Sequence, residues 1–236
     1  MSSSKKELIE SMRGLIVSCQ TQPGDPIHTD DMVVKMAEAA QWGGAVGIRS
    51  NSPEQIAAIK KAVDLPIIGL WKIESENSDV FITPTLDACK AVWEAGADII
   101  ALDCTSRLNA QGRPAYELIT ELKKEIPEAP IFADISTFEE AKRAAELGAD
   151  IVAPTLFGYT EETKRFDGPN MRDFAKMCRE LGKKAAVMME GHIKTPEEAV
   201  KCMYLGAHSV IVGSAITRPH FITQWFTEVL SKYEND

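Results

Sequence analysis

The chain has 236 residues, 44% hydrophobic and 26% charged, which is enough to bury a sizeable core in one large domain or two small ones. Its formal net charge of -9 argues against a general nucleic-acid partner, because phosphate backbones demand basic faces. An acidic chain can still take a phosphorylated metabolite where a local site supplies amides and one cation.

Residues 1–12 carry Lys5, Lys6, Glu7 and Glu10 and no apolar stretch, which does not fit a signal peptide. Residues 5–12 read as a short leading helix whose Leu8, Ile9 and Met12 cover one end of the domain. No run approaches the ~18 apolar residues of a membrane span, so no membrane partner is expected. Cys19, Cys89, Cys104, Cys178 and Cys202 are odd in number, irregularly spaced and without a CxxC pair. That pattern fits reduced thiols in a cytoplasmic protein.

Beyond the leader, short runs rich in Val, Ile and Ala recur, as in parallel strands covered on both faces. Strands are expected at 14–20, 44–49, 66–72, 98–103, 130–135, 150–155, 184–190 and 209–214. Apolar residues at 3.6 spacing place helices at 30–42, 53–63, 86–95, 115–126, 138–147, 170–181 and 196–205, and 218–233 closes the chain. Ser52-Pro53 and Thr195-Pro196 each join an N-cap to a proline at the first helical position.

Four segments repeat this pattern. Glu94-Ala95-Gly96-Ala97-Asp98-Ile99 and Glu146-Leu147-Gly148-Ala149-Asp150-Ile151 are near copies; the stretches at 41–48 and 204–211 are looser ones. Each reads as a helix end, a left-handed glycine cap and a buried strand. The glycines stand at 43, 96, 148 and 206. Such a period holds two βα units, and four periods make eight. Alternating β and α permits an open doubly wound sheet or a closed barrel. Eight units in this length favour a single (β/α)8 TIM barrel spanning 14–236, with residues 1–13 as the leading helix.

The loops from strand to helix are the long ones, notably 21–29, 73–85, 104–114 and 156–169. In a barrel they gather on the face where active sites sit, and 156–169 suits a lid or a merely long solvated loop. The expected strand ends are Gln20, Arg49, Lys72, Asp103, Asp134, Thr155, Glu190 and Ser214, all polar after apolar runs. Any one of them is explained by the chain leaving the core. A barrel brings all eight into one ring, which is a candidate site.

Lys72 ends the apolar run Pro66-Ile67-Ile68-Gly69-Leu70-Trp71. Desolvated and near other cations, its amine suits a general base or a Schiff-base nucleophile; the plain alternative is an ion pair with Glu190 or an aspartate. Glu190 suits orienting Lys72, carrying a proton or holding hydroxyls. Arg49 is a fixed cation for an oxyanion. Asp103 and Asp134 suit hydroxyls or a metal, but no strand ends on histidine and none is expected at the ring, so no metal is expected. After the seventh and eighth strands, Gly191, Gly213, Ser214 and Arg218 suit a phosphate site, or else ordinary turns. Trp42, Trp71, Trp93 and the Met188-Met189 pair read as packing residues. Phe221, Trp225 and Phe226 read as one helical stripe, large enough to add a homodimer contact.

These segments, in this order, resemble the N-acetylmannosamine-6-phosphate 2-epimerases of bacterial sialic-acid breakdown. The likeness is carried by Gly14-Leu15-Ile16-Val17-Ser18-Cys19-Gln20, Gly47-Ile48-Arg49, Pro66–Lys72, Ile82-Thr83-Pro84-Thr85, Ala101-Leu102-Asp103, Ala133-Asp134-Ile135-Ser136-Thr137, Glu190-Gly191 and Val212–Pro219. The resemblance implies a TIM barrel with Lys72 as proton carrier and Glu190 beside it. It places Gln20, Arg49 and Asp134 around the sugar and the phosphate on the last two loops; Asp103, as a strand-end carboxylate, is expected at the substrate as well. The implied substrate is a phosphorylated amino sugar, epimerised at C2 through its open-chain form without a cofactor. A Schiff-base lyase using Lys72, a ribulose-phosphate-type metal epimerase and a non-catalytic phosphosugar-binding barrel are the rival expectations. His192 receives no role.

Overall fold

The computed structural model describes residues 3–21, 24–166 and 168–233; Gln22 and Pro23 of the first long loop and Asp167 of the sixth lie outside them. Among the described residues, helix α1 (Ser3–Ser11) precedes eight strands: β1 (Leu15–Cys19), β2 (Gly47–Asn51), β3 (Ile67–Leu70), β4 (Ile99–Asp103), β5 (Ile131–Asp134), β6 (Ile151–Ala153), β7 (Ala186–Glu190) and β8 (Ser209–Val212). Between them run α2 (Asp30–Trp42), α3 (Pro53–Lys60), α4 (Leu86–Glu94), α5 (Leu118–Glu125), α6 (Phe138–Leu147), α7 (Met171–Leu181) and α8 (Pro196–Tyr204). The chain closes with α9 (Ser214–Thr217) and α10 (Pro219–Leu230). All strands are parallel, in order β1 to β8, and β8 pairs back onto β1 through Ile211 and Ile16. This is the expected TIM barrel. Among the described residues no helix is long and apolar enough to cross a membrane.

Strand alternation sorts the apolar residues into two cores. Ile68, Leu70, Ile99, Ala101, Phe132 and Met188 fill the barrel; Ile67, Ile100, Leu102, Ala133 and Met189 face the helices. Gly69 is needed on that outer layer, because a Cβ there would stand 2.6 Å from Ala97 Cβ and 2.8 Å from Ile56 Cδ1. Burying each such aliphatic side chain stabilises by about 1.5–3 kcal/mol.

The leading helix plugs the barrel's lower mouth. Ile9 and Met12 join the inner core, and Leu8 packs at its edge. Gly47 leaves room for Met12, whose Cε would lie 2.6 Å from a Cβ at that position. Polar contacts fix the plug: His208 Nε2 donates to Ile9 O at 2.7 Å, Ser209 Oγ to Met12 O at 2.6 Å, and Lys5 Nζ to Ala129 O at 2.8 Å.

Five local expectations are corrected. The left-handed cap of the first repeat is Gly44 (φ 89°), one residue late, while Gly43 stays helical at φ -73°. β2 runs past Arg49 to Asn51, and Ser214 opens α9 and does not end a strand. The segment 115–126 starts as a 3-10 turn, Ala115–Glu117, before α5. Trp42 is 94% exposed and does not pack.

Candidate active site

A cavity of about 510 Å³ opens at the C-terminal ends of the strands. Gln20, Arg49, Lys72, Thr155, Glu190 and Ser214 line it, so six of the eight expected strand ends meet there. Asp103 and Asp134 are buried but do not line it.

Arg49 points inward from β2 and is 1% exposed. Asp134, on β5, grips it from behind, accepting from Nη1 at 3.0 Å and from Nη2 at 2.9 Å. Nη1 also donates to Glu190 Oε2, and the guanidinium lies 4.9 Å over the Phe132 ring. Burial works against this charge, but Asp134 and Glu190 outweigh it and hold the group above its ordinary range. Both carboxylate oxygens of Asp134 thus accept from Arg49. Asp103 turns into its own loop instead, accepting from Thr105 N at 2.9 Å, Thr105 Oγ1 at 2.7 Å and Arg107 Nη2 at 2.5 Å. Burial raises its carboxyl despite these partners.

Lys72 lies just beyond β3, on a backbone clamped from two sides. Its N–H donates to Asn51 Oδ1 at 2.8 Å, and the strand end bridges to Ile82 through Thr83 N to Trp71 O at 2.8 Å and Ile73 N to Phe81 O at 2.9 Å. Desolvation, then the positive charges of Arg49 and Arg218, bring its amine down to about 8; Glu190 and Asp134 pull the other way. Glu190 is displaced in the opposite sense. Burial pushes its carboxyl up to about 7, with repulsion from Asp134 adding to it and Arg49, Thr155 and Lys72 opposing. Thr155 Oγ1 donates to Glu190 Oε2 at 3.1 Å and fixes that oxygen. An amine with a lowered pKa and a carboxyl with a raised one, in one enclosure, is an arrangement chemically capable of proton transfer. Gln20 Nε2, also lining the cavity, donates to Ser18 Oγ at 2.9 Å.

Gly191, Gly213, Ser214 and Arg218 line the neighbouring part of the same cavity. Gly191 has φ 103°, which a side chain would disfavour, and Thr217 Oγ1 ties α9 to β1 by donating to Ser18 O at 2.8 Å. Arg218 stands 3.7 Å from Asp25 of the first loop.

Several lining residues were not singled out by the sequence. His192 (φ 60°) reaches under the sixth loop, with Nε2 3.0 Å from Phe157 O and its ring 5.5 Å from Tyr159. That loop forms a wall: Leu156 and Phe157 are buried, and Ser136, Thr160 and Thr163 share hydroxyl contacts of 2.8–2.9 Å beneath it. The aromatic stripe of α10 is split. Phe221 and Trp225 line the cavity, whereas Phe226 is 68% exposed. The i, i+4 spacing of Phe221 and Trp225 directly after Arg218 was the available signal.

The family described as "Putative N-acetylmannosamine-6-phosphate epimerase" matches residues 33–232. Two relatives named "Putative N-acetylmannosamine-6-phosphate 2-epimerase" are similar over nearly the whole chain. That of Caldanaerobacter subterraneus is 44% identical over 94% of each chain, and that of Listeria welshimeri is 44% identical over 98% of each. The solved N-acetylmannosamine-6-phosphate 2-epimerase of Clostridium perfringens superposes with a TM-score of 0.88 at 36% identity, covering 94% of this chain and 96% of that one.

Proposed function

The chain belongs to the N-acetylmannosamine-6-phosphate epimerase family, and from that premise we propose that it interconverts N-acetyl-D-mannosamine 6-phosphate and N-acetyl-D-glucosamine 6-phosphate by proton transfer at C2. The C2 hydrogen becomes acidic only when C1 is an aldehyde, so the sugar reacts in its open form. A base removes the proton and leaves an enolate, and a proton returned to the other face gives the epimer.

The observation that carries this reading is Lys72, whose amine is brought to about 8 beside a carboxyl raised to about 7. A neutral amine takes the C2 proton, and a proton delivered to the opposite face of the enolate completes the inversion. Glu190 works beside it as hydrogen-bond and proton partner. Arg49, locked by Asp134, supplies fixed positive charge for the enolate oxygen without reorganising as that charge develops. Asp134 is thus a positioning residue; Asp103 shapes the fourth loop through Arg107. Gln20 orients the open chain. Gly191, Gly213, Ser214 and Arg218 receive the phosphate through backbone approach and one guanidinium. The chemistry uses no cofactor.

Two further parts of the reading concern the setting. α10 has no buried residue, and Phe226, Val229 and Leu230 are exposed along it, which supports a homodimer through this helix. All five cysteines are free, which supports a cytoplasmic enzyme of sialic-acid and amino-sugar breakdown.

The test is incubation with N-acetylmannosamine 6-phosphate in D2O, followed by proton NMR. Formation of the gluco epimer with deuterium at C2, abolished in Lys72→Ala, is expected. A folded protein that gives neither exchange nor epimer sinks the proposal. A borohydride-trapped adduct on Lys72 would instead identify Schiff-base chemistry.

A further inference from the structure

Among the described residues, four lysine and arginine side chains line the cavity: Arg49, Lys72, Lys194 and Arg218. Arg49 is committed to Asp134 and Glu190. Lys72 carries the proton in the reading above. Arg218, the cation nearest in sequence to the Gly213-Ser214 turn, already faces Asp25 at 3.7 Å. A phosphate monoester bears close to two negative charges near neutral pH. One guanidinium already shared with a carboxylate leaves that charge under-compensated.

Lys194 is placed to supply the rest. It stands four residues after Glu190, in the same short loop as Gly191, and lines the cavity with Phe221 and Trp225 of α10. Its ammonium lies 5.5 Å from the centre of the Trp225 ring. No carboxylate of the described residues forms an ion pair with it. Glu198, four residues on, is occupied by the backbone N–H groups of Lys194 at 2.7 Å and Thr195 at 3.3 Å, within the capping box of α8. The cation therefore rests on an indole face, a weak and partly hydrated seat. An anion entering beside Gly213 and Arg218 offers a stronger one.

We propose that Lys194, held ready on Trp225, is the second cation of the phosphate subsite and sets the preference for a phosphorylated sugar. This rests on the phosphosugar reading of the cavity. Among the described residues no hydrogen bond or ion pair joins the Lys194 side chain to Lys72 or Glu190, so its removal weakens binding and not turnover.

Calorimetric titration of the full chain with inorganic phosphate at low salt tests the idea directly. Lys194→Met is expected to raise the phosphate Kd about tenfold, while Lys201→Met, an equal change of charge on the exposed end of α8, leaves it unchanged. KM for N-acetylmannosamine 6-phosphate should rise by a similar factor with kcat within about twofold, and Lys194→Arg should restore both. Equal phosphate affinity in Lys194→Met and the unaltered chain overturns the proposal. So does an equal loss in Lys201→Met, or an unaltered chain that takes up no phosphate. Failure of the epimerase reading shows separately, as phosphate uptake without C2 exchange in D2O, and leaves the Lys194 comparison intact.

Discussion

Lys72 and Glu190 are displaced from ordinary lysines and glutamates in opposite directions, and both displacements have measurable consequences. With the amine at about 8, kcat/KM is expected to climb roughly tenfold per pH unit below that value and then level. Glu190 favours the ammonium form of Lys72, so Glu190→Gln should move this limb to lower pH while the rate falls about 10²–10⁴-fold. A limb that stays in place would show that the two groups do not sense each other. Stability carries the same signature. Folded Lys72 binds fewer protons than unfolded Lys72 between about 8 and 10.5, so its contribution improves as pH rises through that window. Folded Glu190 binds more protons than unfolded Glu190 between 4.5 and about 7, so its contribution worsens as pH rises there. At pH 7 the buried ammonium is a net cost. Lys72→Met is therefore expected to raise Tm by a few degrees in calorimetry while abolishing epimerisation; a lowered Tm would contradict the sign. At this scale the sequence revealed which polar side chains lie at or close to the strand ends, but not what each one faces. Arg49 and Asp134 are 85 residues apart, and their pairing depends on inward positions of β2 and β5 that no local pattern records. Asp103 was the easier case, since its partner Arg107 is four residues on.

Among the elements, helices with strong punctuation were legible and those with weak punctuation were not. Thr29, Thr85, Thr137 and Thr195 all accept a cap bond from the first turn, and the starts of α2, α4, α6 and α8 fall where such residues predict. The one-turn helix α9 was missed because Ser214, which opens it, was read as the end of the eighth strand, whereas Pro219 marked the start of α10. The leading helix was read as a cover, and the inserted Met12 gives that cover an energetic test. Met12→Ala empties a fully buried site and should cost about 2–5 kcal/mol in urea unfolding. Gly47→Ala alone should cost about 1–3 kcal/mol by crowding the same side chain. Together they should cost less than the sum, because each change relieves the defect of the other. Strict additivity would mean that Met12 does not occupy the space beside Gly47.

For the whole molecule, the fourfold near repeat and the eight apolar runs made the barrel legible before any coordinates, because parallel strands leave a strong local signature. Surface relations were less legible. Phe221, Trp225 and Phe226 lie close together in the chain, yet the first two face the cavity and the third faces outward, a distinction set by how α10 sits over the barrel mouth. The proposed homodimer predicts sedimentation as two copies, with Phe226→Glu shifting the protein to one copy while the barrel's circular dichroism is kept. A dimer untouched by Phe226→Glu would move the interface elsewhere. The plug at the lower mouth also bears on how the protein is made. Ile9 and Met12 are held by His208 and Ser209, so this helix leaves the ribosome 199 and 197 residues ahead of the polar partners that fix it. At roughly 5–20 residues per second, those apolar side chains wait about 10–40 s before β8 is available to receive their backbone carbonyls. During that interval the nascent helix is a natural client for a chaperone, and ring closure can be completed only once β8 has emerged to pair with β1.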